Sequence, residues 1–243
     1  MGTTTEEKKL KPVQKSGCIK KLAVLLLLTV MVYLGVHIWF LWLPAGSPDA
    51  TSKAFIDATI AGKRVFPALR AYPMDHIDGR AEILDGATVD PPMLKIRLET
   101  AVERNYPITF TEEEINSWLS KRVMLKQGGL VEPYAETCGV WVDFKKNQIE
   151  IIIERDVLGK THVTSMFLHF VRSKRGFSIR RDTSHIGQVR APGGFARLIM
   201  GAFENLASEL AEEMKPYKEN EIRDIRVEDG KITLDPRKPE ERL

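Results

Sequence analysis

Cysteine is scarce in this chain: its 243 residues hold two, Cys18 and Cys138. Between them lies a stretch without Asp, Glu, Lys or Arg, residues 22–43, LAVLLLLTVMVYLGVHIWFLWL. As a helix rising about 1.5 Å per residue it is roughly 33 Å long, enough to cross a bilayer core of about 30 Å. A membrane there separates the two thiols, so they cannot pair within one chain, and the C-terminal part must stand on packing alone. Cys18, juxtamembrane and flanked by lysines, reads either as a lipidation site or as an inert thiol. No cysteine stands just past the stretch as a lipoprotein anchor. No Asn-x-Ser/Thr sequon occurs, which fits a bacterial envelope better than a eukaryotic secretory surface.

Catalytic signatures are equally absent. There is no Gly-x-Ser-x-Gly turn for a serine nucleophile and no Gly-x-x-x-x-Gly-Lys-Ser/Thr phosphate loop. His162 and His169 are an odd number of residues apart, so on one strand they face opposite ways and do not make a zinc pair. Asp75-His76-Ile77-Asp78 is the densest run of potential metal ligands and reads better as a polar loop. We therefore expect no enzyme, no cofactor and no metal.

What is present begins with charge. Residues 1–21 carry six lysines against Glu6 and Glu7, a net +4, while the whole chain sums to +3. The positive flank is expected to stay cytoplasmic (1–21), the helix to span the membrane (22–43), and the rest to be extracytoplasmic. A cleaved signal peptide would have an apolar core of about 7–15 residues. This one is longer, and Pro48 follows the small residues Ala45-Gly46-Ser47, so an uncleaved anchor is the expectation. The near-neutral exported part argues against nucleic acid as a partner.

Residues 44–53 read as a linker, 54–235 as one α+β domain and 236–243 as a disordered tail. Apolar spacing predicts a helix over 52–70, loop with a short strand at 81–84 over 71–92, and a strand over 94–102, where Leu94, Ile96, Leu98, Thr100 and Val102 alternate with polar residues. A short strand at 108–110 runs into Thr111-Glu112-Glu113-Glu114, a capping box opening a helix that Gly128-Gly129 stops. An antiparallel meander follows at 135–144, 148–157, 161–172 and 176–184. Pro192-Gly193-Gly194 opens a long helix, and Asp229-Gly230 marks a closing hairpin.

The third meander strand is partly apolar on both faces, with Thr164, Met166, Leu168 and Phe170 on one and Val163, Phe167 and Val171, with Ser165 and His169, on the other. A sheet with one wet face alternates more cleanly. Two readings follow: helices on both sides close a sandwiched core, or one face is an apolar groove. In a groove, a buried acyl chain would gain roughly 0.8 kcal/mol per methylene. Adjacent Arg180 and Arg181 point to opposite faces, so one of them can meet a headgroup phosphate at the groove.

Three stretches carry a family pattern: ITFTEEEINSWL at 108–119, IGQVRAPGGF at 186–195 and IRDIRVEDGKITL at 222–234. With the single N-terminal span, they resemble the YpmS-like envelope proteins of bacteria, which are similar to tubular lipid-binding (TULIP-like) domains. The resemblance implies a single N-terminal transmembrane helix, then a curved antiparallel sheet packed on a long helix around an apolar cavity. It implies a non-catalytic, membrane-anchored protein of the cell envelope that binds a lipid or other amphiphile. Met166, Phe167, Leu168, Phe170, Phe195, Ile199 and Phe203 are the candidate lining, with Arg180 and Arg181 at the headgroup. The alternative is a structural or adaptor protein docking on another envelope protein through that apolar face.

Overall fold

The structure is a computed structural model and describes residues 16–47, 50, 51, 53, 57–66, 69–86, 93–122, 134–173, 176–199, 201–214 and 222–241. The helix stop expected at Gly128-Gly129 and the side chains of Cys18 and Ile199 lie outside the described residues. The chain divides into two compact units, Met1–Trp39 and Phe40–Leu243.

In the first unit the described residues belong to helix α1 (Ser16–Leu41), whose last two residues count with the second unit. The segment Ile19–Leu41 is long and apolar enough to cross a membrane. Two of its polar side chains turn back onto their own helix: Thr29 Oγ1 donates to the Leu25 carbonyl and the His37 ring to the Tyr33 carbonyl, both at 2.9 Å. That removes donors that would be costly in hydrocarbon.

The second unit is α+β. Its centre is a five-stranded antiparallel meander, β4 (Glu136–Lys145), β5 (Gln148–Val157), β6 (Lys160–Ser173), β7 (Gly176–Ile186) and β8 (Val189–Pro192), in sequential order. The turns sit where chemistry allows positive φ, at Asn147, at Gly159 and at Gly187. Leu158 also takes φ +54° in the β5–β6 turn, the conformation a bulky side chain resists. A second sheet orders β3 (Ile108–Thr111), β10 (Lys231–Asp235) and β9 (Asp224–Glu228), and the Asp229-Gly230 hairpin forms as its sequence predicts. A hairpin of β1 (Thr59–Ile60) and β2 (Lys63–Arg64) turns through Ala61 and Gly62, both at positive φ.

Register sorts the meander into two faces. Direct cross-strand partners share a face, so Val140–Ile153–Thr164–Ile186, Val142–Ile151–Met166 and Phe144–Ile149–Leu168 line the first. Trp141–Ile152–Ser165–His185 and Asp143–Glu150–Phe167 line the second. Helices α5 (Gly193–Ile199) and α6 (Ala202–Met214) meet the first face, where Ala196, Ala202 and Phe203 pack with Ile153, Met166 and Ile186. The long helix expected after Pro192 is therefore two helices. Helix α4 (Glu112–Arg122) carries Leu119 and Trp118 into the neighbouring cluster with Val140, Val142 and Phe144.

Helix α4 opens as its sequence demands. The Thr111 N–H donates to Glu114 Oε2 at 3.0 Å, and the Glu114 N–H to Thr111 Oγ1 at 3.2 Å, a reciprocal cap. Other expectations need correction. Residues 94–102 are not a strand but helix α3 (Leu94–Glu103). It buries Leu94, Leu98 and Ala101, and positions i, i+4 and i+7 share a helical face just as alternation shares a strand face. Leu, Lys, Arg, Glu and Ala are strong helix formers, and that preference decides the ambiguity. Residues 81–84 lie in a helical turn, α2 (Arg80–Leu84), not a strand. The described residues of the helix expected over 52–70 include the β1–β2 hairpin instead. Residues 44–46 are no loose linker: the Ala45 N–H donates to the Thr161 carbonyl, and Gln188 Nε2 donates to the carbonyls of Pro44 and Gly46. Residues 236–241, expected as tail, include a 3-10 turn, Pro239–Glu241.

Candidate functional site

The two faces of the meander carry two different sites. On the first face an apolar groove of about 400 Å³ runs between the sheet and helices α3, α4 and α6. The sheet contributes Val140, Val142, Phe144, Ile149, Ile151, Leu168, Phe170 and Ile179. The helices contribute Leu94, Leu98, Ile115, Trp118, Leu119, Leu206 and Leu210, and the second sheet adds Phe110, Ile232 and Leu234. Lys95 is the one charged lining residue among those described. The volume lies within the range of roughly 300–1,000 Å³ that small-molecule sites occupy.

Of the sequence candidates, Leu168 and Phe170 line this groove. Met166 and Phe203 lie on the same face but are buried in the adjoining cluster with Ala196. Phe195 is half-exposed on α5. Arg181 is the cross-strand partner of Leu168, which places it on the groove face, exposed. Arg180 pairs with His169 on the opposite face. Phe167 also points away from the groove, because a strand alternates and Met166 and Leu168 hold the other side. It borders the second site.

That second site is a polar cleft of about 660 Å³ between the second face and the 70–78 segment. Its floor is the rung Asp143–Glu150. Both carboxylates are almost wholly buried, Asp143 at 5% and Glu150 at 2% exposure. Glu150 Oε1 accepts hydrogen bonds from Tyr72 Oη (2.9 Å) and from Ser165 Oγ. Burial pushes the Glu150 carboxyl up, against the opposing pull of those two hydroxyls. Burial, then Glu150, raises the Tyr72 phenol. Burial acts to raise Asp143 as well, but His76 and Lys145 outweigh it and hold this carboxyl below its usual range. Asp143 in turn raises the His76 imidazole and, against burial, the Lys145 ammonium. At the cleft wall burial depresses His185 to about 4, so its ring is neutral at pH 7.

Polar bonds tie the margins of the cleft. Glu112 Oε1 accepts from the Asp78 N–H at 3.0 Å and Oε2 from the Phe144 N–H at 2.8 Å. Asn116 Oδ1 accepts from the Val142 N–H at 2.7 Å, and its Nδ2 donates to the carbonyls of Val142 and Asp78. The Gly230 N–H donates to the Phe144 carbonyl. At Val142 and Phe144 the outward edge of β4 is thus satisfied by side chains of α4 and by the closing hairpin. On the far side Arg80 grips Glu154 bidentately at 2.6 and 2.9 Å, and the Trp141 indole donates to the same carboxylate at 3.0 Å.

Sequence reasoning did not find Tyr72, Asp143, Lys145, Glu150 or Ser165. Glu150 and Glu154 alternate with isoleucines, the pattern of a wet face, and only the covering 70–80 segment makes that face an interior. His76 was visible, but its partners lie far along the chain.

Compared with protein-family models, with curated proteins and with solved structures, the chain finds no match. What the fold and the sites define is a class: an α+β protein of antiparallel sheets, preceded by an N-terminal apolar helix fit to span a membrane.

Proposed function

We propose that this protein is a single-pass membrane protein of the bacterial envelope, N-terminus cytoplasmic, whose extracytoplasmic domain holds the acyl chain of a lipid or similar amphiphile. It does so without chemically altering it, in the manner of tubular lipid-binding domains. The observation that carries the reading is the groove of about 400 Å³ walled by hydrophobic side chains from both sheets and three helices. About eight methylenes taken from water into such a lining gain roughly 6 kcal/mol before the cost of ordering the chain. In this reading Arg181, the register partner of Leu168, meets an anionic headgroup bidentately while the tail lies on Leu168 and Phe170.

Full-length protein extracted in mild detergent tests this. Native mass spectrometry is expected to show a co-purified lipid, and a fluorescent fatty acid to bind saturably. Leu210→Trp, which fills the groove from α6, is expected to abolish uptake while leaving the unfolding midpoint close to wild type. Arg181→Glu should weaken anionic ligands more than neutral ones. A clean apo mass together with no saturable uptake would sink the reading.

A further inference from the structure

The polar cleft lies on the face of the meander opposite the groove. His76, Asp143 and Glu150 come from three segments, and each brings one donor atom to within 4.8 Å of the others. Asp143 and Glu150 are direct cross-strand partners. Like charges opposite one another destabilise a sheet unless a cation lies between them.

The contacts inside the cluster are the informative part. His76 Nε2 stands 3.2 Å from Asp143 Oδ2, yet the two are not aligned as a hydrogen bond. Among the described residues Asp143 Oδ2 is enclosed and makes no aligned hydrogen bond, being met by the His76 ring and the Lys145 ammonium. A ring nitrogen and a carboxylate oxygen that stand this close without an aligned hydrogen bond have the disposition of ligands that can share a third atom. Glu150 fits the same pattern. Tyr72 and Ser165 occupy its Oε1, while its Oε2 lies 4.0 Å from Lys145 Nζ. Hydroxyls that fix one carboxylate oxygen orient the other, as the outer partners of metal ligands do. Lys145 is half-exposed at the cleft rim, so its flexible stem can carry the ammonium out to solvent.

We propose that His76, Asp143 and Glu150 bind one divalent transition-metal ion of the zinc class, with the Lys145 ammonium holding the place of the cation when the metal is away. One imidazole nitrogen and two carboxylates make a set suited to zinc, and the nitrogen disfavours calcium and magnesium, which take oxygen ligands. The ion would staple the 70–78 segment to β4 and β5, joining what Glu112 and Asn116 already tie at the neighbouring edge.

The test uses the full chain in detergent, stripped with a chelator and titrated with zinc against a competing chromophoric chelator. One equivalent is expected to bind and to raise the unfolding midpoint, with calcium producing neither effect. His76→Ala and Asp143→Asn are expected to weaken binding at least about tenfold. Lys145→Met removes the competitor and is expected to tighten it by at least as much. A merely structural lysine would not produce that gain. His76 lies on the cleft's covering segment, so His76→Ala remains readable should Asp143→Asn fail to fold. No stoichiometric zinc in wild type and Lys145→Met, equal zinc affinity in His76→Ala, or a Lys145→Met affinity no higher than wild type would each overturn the proposal. None of these readouts depends on lipid uptake.

Discussion

Asn116 is the residue whose loss the fold should feel most sharply. It is fully buried, and its amide makes three hydrogen bonds: it accepts from the Val142 N–H at 2.7 Å and donates to Val142 O at 3.1 Å and Asp78 O at 2.9 Å. Val142 lies on the edge strand β4, so its outward N–H and C=O have no neighbouring strand to turn to. Asn116→Leu keeps the size of the side chain and removes all three bonds. Each buried backbone group left unsatisfied costs about 1–3 kcal/mol. Two such groups on Val142 cost about 4 kcal/mol, from which burial of the leucine methyls returns about 1 kcal/mol. A net loss of about 3 kcal/mol is a large share of a stability of about 5–15 kcal/mol, and for a domain of this size it lowers the midpoint by about 6–12 °C. The assay is thermal and urea unfolding of the detergent-solubilised chain, followed by tryptophan fluorescence, with the buried Trp141 as reporter. Asn116→Asp keeps the acceptor for Val142 N–H but sets a carboxylate against two carbonyls. Its deficit should widen as pH rises through the carboxyl range, because the folded state then holds the charge unfavourably. A midpoint for Asn116→Leu within about 1 °C of wild type would refute the idea that a side-chain amide closes this sheet edge.

Gly187→Ala should destabilise by more than 1 kcal/mol, since the residue has φ +58° and a Cβ there would stand 2.5 Å from the Leu43 carbonyl oxygen; urea midpoints check it. Leu158→Asn should stabilise by about 1 kcal/mol, because the leucine is 86% exposed at φ +54° and loses no packing when replaced. Glu150→Gln should stabilise the chelator-treated protein, and the gain should grow with pH. The folded-state pKa of Glu150 is raised, so wild type keeps its full stability below the unfolded value of about 4.3 and loses part of it as pH rises through the folded one. A gain that stays flat from pH 4 to pH 8 would count against a charged, buried Glu150.

Where local chemistry is sufficient, the sequence by itself determines structure in this protein. An uncharged run of 22 residues must be a helix that hydrocarbon can surround. Thr111 and Glu114 cap each other because both partners lie within one turn, and Asp229-Gly230 turns a hairpin because its glycine tolerates positive φ. The meander follows from alternation between such turns. Residues 94–103 mark the limit, since apolar residues two and four apart satisfy strand and helix alike; the helix preference of the residues between them selects the helix, and packing on Ile108 and Phe110 adds to it. The tertiary structure alone decides which face is interior. Glu150 and Glu154 look solvated in sequence, but Tyr72 and Arg80, some 70 residues earlier, come across that face and supply their partners, as His76 does for Asp143. The same holds for Asn116 and Val142: a hydrogen bond across 26 residues leaves no periodic trace, because it depends on where two elements meet and not on what either would form alone.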